Sequence, residues 1–215
     1  MPFQAWRAGS PLPDYNARAS SEAPLGGGIM VPLAHLWLPM LISAAGVFIA
    51  SSVLHMVLKF WHMPDYGGFP NEDDVGAAIR NGNPAPGMYV IPYCRMEDMK
   101  KAETAEKFKR GPVGFMILRP SGPFNMGKNL VQWLVFCLVV SLFSAYVAGA
   151  ALAPGAAWLQ VFRIVGTVSF MTYGFTSLPA GIWWGQPWKT VVKDVIDGLI
   201  YGLVTGVIFA WLWPT

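Results

Sequence analysis

The feature that most constrains this fold is a set of four long apolar runs in a chain of 215 residues. A helix needs about 20 apolar residues to cross the hydrocarbon core of a bilayer, and each run exceeds that length. Charged residues make up only 13% of the chain, against about 25% in average soluble domains. The sequence therefore predicts an all-α membrane protein with four transmembrane helices, at Leu33–Leu58, Leu130–Ala153, Leu159–Trp183 and Val191–Trp213. Pro179 interrupts the third run near its end.

The segments outside these runs suggest how the chain is divided. Residues 1–30 are rich in Pro, Gly, Ser and Ala and lack the apolar core of a signal peptide, so they predict a flexible tail. Residues 31–60 hold the first transmembrane helix, residues 61–128 form a separate lobe, and residues 129–215 hold helices two to four. The alternative for the tail is that it is not translated, with Met30 as the true start.

The lobe carries the local patterns of a small α/β insertion between helices one and two. Asn71 is followed by three acidic residues, which the positive end of a helix favours. Short apolar stretches bounded by Pro and Gly are typical of strands, and a charged stretch that ends at Gly111 is typical of a helix. These patterns predict two short helices and two strands, at 71–80, Glu97–Arg110, Met88–Tyr93 and Val113–Leu118.

The distribution of positive charge predicts the orientation of the chain in a membrane. Twelve of the fifteen Lys and Arg residues follow the first or the third run, and only three lie on the other side. Positive charge collects on the cytoplasmic side of membrane proteins. We therefore predict a bacterial inner (plasma) membrane protein with a cytoplasmic lobe and with both termini outside the cytoplasm.

Two of the three histidines, His55 and His62, lie near the end of the first run and are seven residues apart. On one continuous helix they share a face but stand about 10 Å apart, so one metal ion cannot bind both unless the helix breaks between them. A weaker candidate metal site in the lobe combines four residues of metal-binding type, His62, Asp65, Glu72 and Cys94. We otherwise predict no cofactor and interpret the region as a polar cluster at the membrane interface.

The fourth run carries acidic residues where a membrane helix normally has none. Asp194, Asp197 and Tyr201 follow one helical stripe, and such ionisable groups usually face a partner or a cavity. Helices one and four meet the cytoplasmic side together, which places His55 at a similar depth. We predict an intramembrane polar cluster of His55, Asp194, Asp197 and Tyr201. It either binds an ion, relays a proton, holds a polar headgroup, or only locks helix one to helix four.

Three glycines in the same run, Gly198, Gly202 and Gly206, are spaced four residues apart. Small residues at this spacing let helix backbones approach closely in lipid. They predict a helix-packing face. Together with the lobe, this face is a candidate surface for contact with another membrane protein.

Several stretches of the chain resemble one family of proteins. They are VPLAHLWLPMLISA, SSVLHMVL, DYGGFPNED, GPVGFMILRPSGPFNMGK and DGLIYGLVTGVIFAWLWP. Over roughly Val31 to Pro214 the chain resembles a family of bacterial four-span inner-membrane proteins without a known activity. The resemblance implies four membrane spans, and it transfers no catalytic residue.

These features favour a non-enzymatic role, as an accessory or structural subunit that binds lipid or a partner membrane protein. One alternative is a small transporter or a proton or ion channel that uses the His55–Asp197 cluster. A second alternative is a metal-dependent membrane enzyme or redox protein. The predicted partners are the lipid bilayer and a second membrane protein or another copy of the chain, with no nucleic acid and no catalytic residue.

Overall fold

The computed structural model describes residues 30–215, which form a mostly helical structure with two short strands. In chain order the helices are α1 (Leu33–Val57), α2 (Lys59–His62), α3 (Glu72–Asn81), α4 (Ala102–Arg110), α5 (Met126–Ala151), α6 (Trp158–Gly174), α7 (Leu178–Trp183) and α8 (Trp188–Trp211). The strands are β1 (Gly87–Ile91) and β2 (Gly114–Leu118). The predictions of a flexible tail and of a start at Met30 concern residues 1–29, which lie outside the described residues.

Helix α1 changes geometry along its length. It begins as a 3-10 turn at Leu33–Leu36, continues as an α-helix at Trp37–Ser52 and ends as a π-helical turn at Val53–Val57. Leu58 then leaves helical geometry, with φ −83° and ψ 67°, before α2 begins. The single helix predicted over the first run is therefore broken at its end.

The third apolar run also forms two helices instead of one. Helix α6 ends at Gly174, a 3-10 turn follows at Phe175–Ser177, and α7 starts with Pro179 as its second residue. Proline lacks an N–H group, and its ring clashes with the carbonyl four residues earlier, so it is best tolerated in the first turn of a helix. The interruption at Pro179 therefore divides the third run, and the span predicted over Leu159–Trp183 forms as two helices.

Helices α1, α5, α6 and α8 form a four-helix bundle. Helix α1 packs against α5 and α8, and α6 packs against the same two helices. Two apolar clusters fill the interior, one around Val161 and Phe209 and the other around Val47, Cys137 and Tyr173. The second cluster lies next to the broken end of α1, where the candidate site is found.

The bundle buries small and polar side chains and exposes large apolar ones. The hydroxyls of Ser43 and Ser141 hydrogen bond between α1 and α5 at 2.7 Å, and those of Ser144 and Ser169 do so between α5 and α6 at 2.9 Å. The outer surface of the same bundle carries large apolar residues, among them Leu41, Ile42, Ile49, Val139, Phe143, Leu199 and Leu203. This distribution is typical of helices that pack on small residues and face lipid outward.

Two of the helices, Leu33–Val57 and Met126–Ala151, are long and apolar enough to cross a membrane. Length and composition alone are a weak indication of membrane association, because the core helix of a soluble protein can meet the same criteria. Within the most apolar stretch of each helix, however, only 22% and 39% of the residues are buried. Most of this apolar surface is not covered by the described part of the chain, which favours lipid as its neighbour.

The segment between α2 and α5 contains the two strands and two short helices predicted for the lobe. Strands β1 and β2 pair antiparallel, with Tyr89 opposite Met116. The second helix is shorter than predicted, since a 3-10 turn at Met96–Asp98 precedes α4 and the α-helical hydrogen bonds begin only at Ala102. Gly111 ends α4 with φ 65°, a value that glycine adopts without strain.

Candidate functional site

The break after α1 brings the two histidines together. The π-helical turn at Val53–Val57 and the non-helical Leu58 redirect the chain, so that α2 folds back beside the end of α1. The rings of His55 and His62 stack, with centroids 4.3 Å apart and planes inclined by 14°. The separation of about 10 Å applies to one continuous helix, and the break between the histidines removes that restriction. Single π-helical turns are frequent at functional sites.

Asp197 of α8 is the centre of the polar contacts around these histidines. Its side chain is buried, with 4% of its surface exposed, and Oδ2 lies 2.6 Å from Nε2 of His62. Oδ1 accepts a hydrogen bond from Nε1 of Trp61 at 2.8 Å. Nε2 of His55 lies 3.9 Å from the same Oδ2 atom. The carboxylate of Asp197 on α8 thus holds α2, the segment that follows α1.

A second carboxylate lies on the other side of His62. Oδ2 of Asp65 is 3.3 Å from Nδ1 of His62, and Oδ1 accepts a hydrogen bond from Nζ of Lys193 at 2.6 Å. Lys193 also donates to the backbone carbonyl of Trp61. The hydrogen bond from Lys193 lowers the pKa of Asp65 from its ordinary value and outweighs the opposing effect of burial. Asp65 is therefore ionised at neutral pH.

A cavity of about 640 Å³ opens beside this network. Its polar lining includes Asp194, which accepts a hydrogen bond from Nε2 of Gln186 at 3.0 Å. The hydroxyl of Tyr201 is buried and has no hydrogen-bond partner among the described residues. The lining residues come from α1, α5, α6, α7, α8 and the turns that join them: Ser51, Ser52, His55, Met56, Met126, Leu130, Trp133, Tyr173, Thr176, Ser177, Ala180, Gln186, Asp194, Asp197 and Tyr201.

The structure places the residues of the predicted intramembrane cluster in this one cavity. His55, Asp194, Asp197 and Tyr201 all line it. Of these, His55 and Asp197 approach each other, with Nε2 of His55 3.9 Å from Oδ2 of Asp197, and His55 is the exposed member, with half of its side-chain surface accessible.

The predicted metal set of the lobe is not assembled in the structure. His62 and Asp65 are neighbours, but Glu72 is exposed in the first turn of α3, and the Sγ atom of Cys94 contacts Sδ of Met99 at 3.0 Å. Glu72 and Cys94 follow Asp65 in the chain and belong to the lobe. Neither of them lines the cavity at the end of the bundle. Among the described residues, the group whose ligand atoms lie within 4.8 Å of one another is His55, His62 and Asp197.

The predicted glycine face packs inside the chain. A Cβ atom on Gly198 would lie 2.3 Å from Cα of Gly174, and one on Gly202 would lie 2.9 Å from the carbonyl oxygen of Gly166. A Cβ atom on Gly206 would lie 3.1 Å from Cα of Gly166. Helix α6 therefore occupies the face, and the expectation that it is a free surface for a partner protein is corrected.

Three contributors to the site escaped the sequence analysis. Lys193 was counted only as a loop charge, although its spacing of four residues from Asp197 places both on one face of a helix. Trp61 follows the first apolar run directly, where a tryptophan is ordinary at a membrane interface and does not by itself indicate a site. His62 was assigned to the lobe, because the stretch between the histidines contains neither Pro nor Gly to indicate a break.

Comparison of the chain with protein-family models, with curated proteins and with solved structures finds no match. The geometry of the site is therefore the basis for its interpretation.

Proposed function

We propose that this chain is a four-span bacterial inner-membrane protein with a non-enzymatic, accessory role, and that it binds a lipid in the cavity at the end of its bundle. The observation that carries the proposal is the cavity itself. It combines an apolar wall with buried polar groups, and one of these, the Tyr201 hydroxyl, has no partner among the described residues. Ligand cavities typically span about 300–1,000 Å³ and combine apolar walls with a few polar groups.

The exposed apolar surface of the bundle supports four spans. Large apolar residues face outward not only on α1 and α5 but also on α6 and α8, for example Leu159, Met171, Leu199 and Leu203. Glycine and serine residues make close contacts between these helices in the interior, which is a packing that lipid-embedded helices use. The lobe and the cavity then lie on the cytoplasmic side, where the positive charge collects.

The lining of the cavity offers groups that suit both parts of a lipid. Met56, Met126 and Leu130 supply apolar wall for an acyl chain. Asp194 and Asp197 supply carboxylates in the same lining. A carboxylate accepts hydrogen bonds and attracts positive charge, so the headgroup that fits best donates hydrogen bonds, as an ammonium or a hydroxyl group does.

A transporter or proton channel is the second candidate, because ionisable groups form a chain that leads into the cavity. Lys193, Asp65, His62 and Asp197 are linked in that order by contacts of 2.6 to 3.3 Å. All four lie at one end of the bundle, so conduction across the membrane requires a further path or an oligomer. Proton flux in liposomes that is abolished by Asp197→Asn would favour this candidate over lipid binding alone.

The orientation is tested with the two native cysteines. A membrane-impermeant maleimide is expected to label Cys94 in inverted vesicles but not in intact spheroplasts, because Cys94 lies in the lobe and is partly exposed. Cys137 is fully buried in α5 and is expected to remain unlabelled in both. Cys94→Ser is the control that identifies the labelled residue. Labelling of Cys94 in intact spheroplasts would reverse the proposed topology.

Lipid binding is tested by filling the cavity. Ala180→Phe places a large ring among the lining residues, and we expect the fraction of protein that carries bound lipid to fall about tenfold, the effect of roughly 1.4 kcal/mol of affinity. The measurement is native mass spectrometry of protein gently extracted from its own membrane. The matched control is Ala150→Phe, an alanine exposed on the outer surface of α5.

Two outcomes contradict the proposal of a lipid site. One is that the wild-type protein carries no lipid mass after gentle extraction. The other is that Ala180→Phe and Ala150→Phe lower the bound fraction equally, because lipid would then be held by the outer surface of the bundle and not by the cavity.

A further inference from the structure

We infer that His55, His62 and Asp197 form a binding site for one divalent transition-metal ion at the wall of the cavity. Their three ligand atoms lie within 4.8 Å of one another. Two imidazole nitrogens and one carboxylate oxygen are a ligand set that Zn²⁺ and related ions use, with a fourth position left for water or a ligand. The inference does not require that a lipid occupies the cavity.

The hydrogen bonds of His55 fix which of its ring nitrogens is free. Nδ1 lies 3.1 Å from the backbone carbonyl oxygen of Ser51. A carbonyl oxygen only accepts hydrogen bonds, so Nδ1 carries the proton. In the neutral ring, Nε2 then presents a lone pair, and it is Nε2 that faces Asp197.

The same arrangement recurs at His62. Nδ1 faces the carboxylate of Asp65 at 3.3 Å, and Nε2 faces Asp197 at 2.6 Å. Histidines that bind metals almost always donate the N–H of the other ring nitrogen to a carboxylate or a backbone carbonyl, which sets the tautomer and the ring orientation. Both histidines here have such a partner at Nδ1. It is the backbone carbonyl of Ser51 for His55 and the carboxylate of Asp65 for His62.

In a metal-bound state, Nε2 of both histidines presents a lone pair, and these two lone pairs and the carboxylate of Asp197 need positive charge between them. Asp65 and Asp197 are two buried carboxylates, and Lys193, which donates to Asp65, is the one lysine that the described contacts pair with either of them. A buried charge without compensation is costly. A divalent ion between His55, His62 and Asp197 supplies this positive charge, which a proton between Nε2 of His62 and Oδ2 of Asp197 would otherwise supply.

The distances are close to those of a coordination sphere. Ligand atoms on a tetrahedral Zn²⁺ ion stand about 3.3 Å apart, given metal–ligand bonds of about 2.0 Å. Asp197 Oδ2 lies 2.6 Å from one histidine nitrogen and 3.9 Å from the other. The remaining separation, between the two histidine nitrogens, is within 4.8 Å, so changes in separation of up to about 1.5 Å complete the sphere. His55 is half-exposed, so its ring is free to make such a shift.

The test uses the full-length protein in lipid nanodiscs without a histidine tag, stripped with a chelator and titrated with Co²⁺. We expect one Co²⁺ ion per chain, detected by the visible absorption of four-coordinate Co²⁺, and displacement of it by Zn²⁺. His55→Gln should remove this absorption, and Asp65→Asn should weaken binding about 10–100-fold, the usual effect of losing a partner of a ligating histidine. His35→Gln alters the remaining histidine, exposed at the far end of α1, and should change nothing.

Equal Co²⁺ binding by His55→Gln and His35→Gln would overturn the inference, as would wild-type protein that binds no ion. If the wild-type protein binds no ion, a proton on His62 supplies the positive charge beside Asp197 instead. Ala180→Phe separates this inference from lipid binding, because it should lower the bound lipid and leave the Co²⁺ absorption in place. His55 is half-exposed, so loss of folding does not confuse the key variant.

Discussion

Replacing Gly198 by alanine is expected to lower the free energy of unfolding by about 3 kcal/mol or more, the upper end of the range for overpacked cores. A Cβ atom at this position would stand 2.3 Å from Cα of Gly174 and 2.8 Å from the carbonyl carbon of Tyr173. Both are backbone atoms, so no side-chain rotation can relieve the overlap. Helices α6 and α8 must separate, and the close approaches at Gly202 and Gly206 are lost with them.

The measurement is denaturant or thermal unfolding in a defined micelle or bicelle, followed by circular dichroism. Gly127→Ala is the matched control, because Gly127 also lies in a long helix but its added Cβ would meet only Asn125 Oδ1, at 3.6 Å. That variant should unfold like the wild type or slightly later, since alanine favours a helix over glycine by up to about 1 kcal/mol. Equal stability of the two variants would show that α6 and α8 are not in the described contact.

The long helices could be predicted from the sequence because their signal is local. Each apolar run is longer than a membrane is thick, and Pro179 marked the place where the third run is divided. The glycines at 198, 202 and 206, which predict a close helix contact, lie against α6 in the structure. Their spacing could not say which helix fills the face, since that depends on Gly166 and Gly174, far away in the sequence.

The site could be predicted only in part because its decisive feature has no local signal. The residues Val53–Val57 are β-branched or long apolar residues apart from His55, and nothing in them requires a π-helical turn. The contacts associated with the turn join residues far apart in sequence, as when His62 and Trp61 reach Asp197. A pattern read along one helix keeps the histidines apart, whereas tertiary contacts bring them together.

The same reasoning explains why Lys193 was missed and Asp197 was not. A carboxylate within an apolar run is rare, so Asp197 can be recognised as unusual from the sequence alone. A lysine at the entrance of a helix is ordinary there, and its burial against Asp65 is visible only in the folded chain.

Replacing Asp197 by leucine is expected to lower the free energy of unfolding by about 3 kcal/mol, because it leaves one buried and one partly buried polar group without partners at about 1–3 kcal/mol each. These are Nε1 of Trp61 and Nε2 of His62, at 2.8 and 2.6 Å from the carboxylate oxygens. Leucine is apolar and of similar size, so packing is largely kept and the lost polar contacts dominate. The same unfolding measurement checks the value, and tryptophan fluorescence reports directly on Trp61.

Asp197→Asn is the control that separates the structural role of this residue from its role as a ligand. The amide oxygen can still accept from Trp61, and the amide nitrogen can donate to the lone pair on Nε2 of His62. We therefore expect a loss of less than about 1 kcal/mol, the usual worth of one altered hydrogen bond. The amide carries no negative charge, so Co²⁺ binding should nevertheless fall sharply. A fully stable Asp197→Leu variant would mean that the network does not hold α2 to α8. An Asp197→Asn variant as unstable as Asp197→Leu would mean that His62 needs the charge of Asp197, and hence that a proton, not a lone pair, faces that carboxylate.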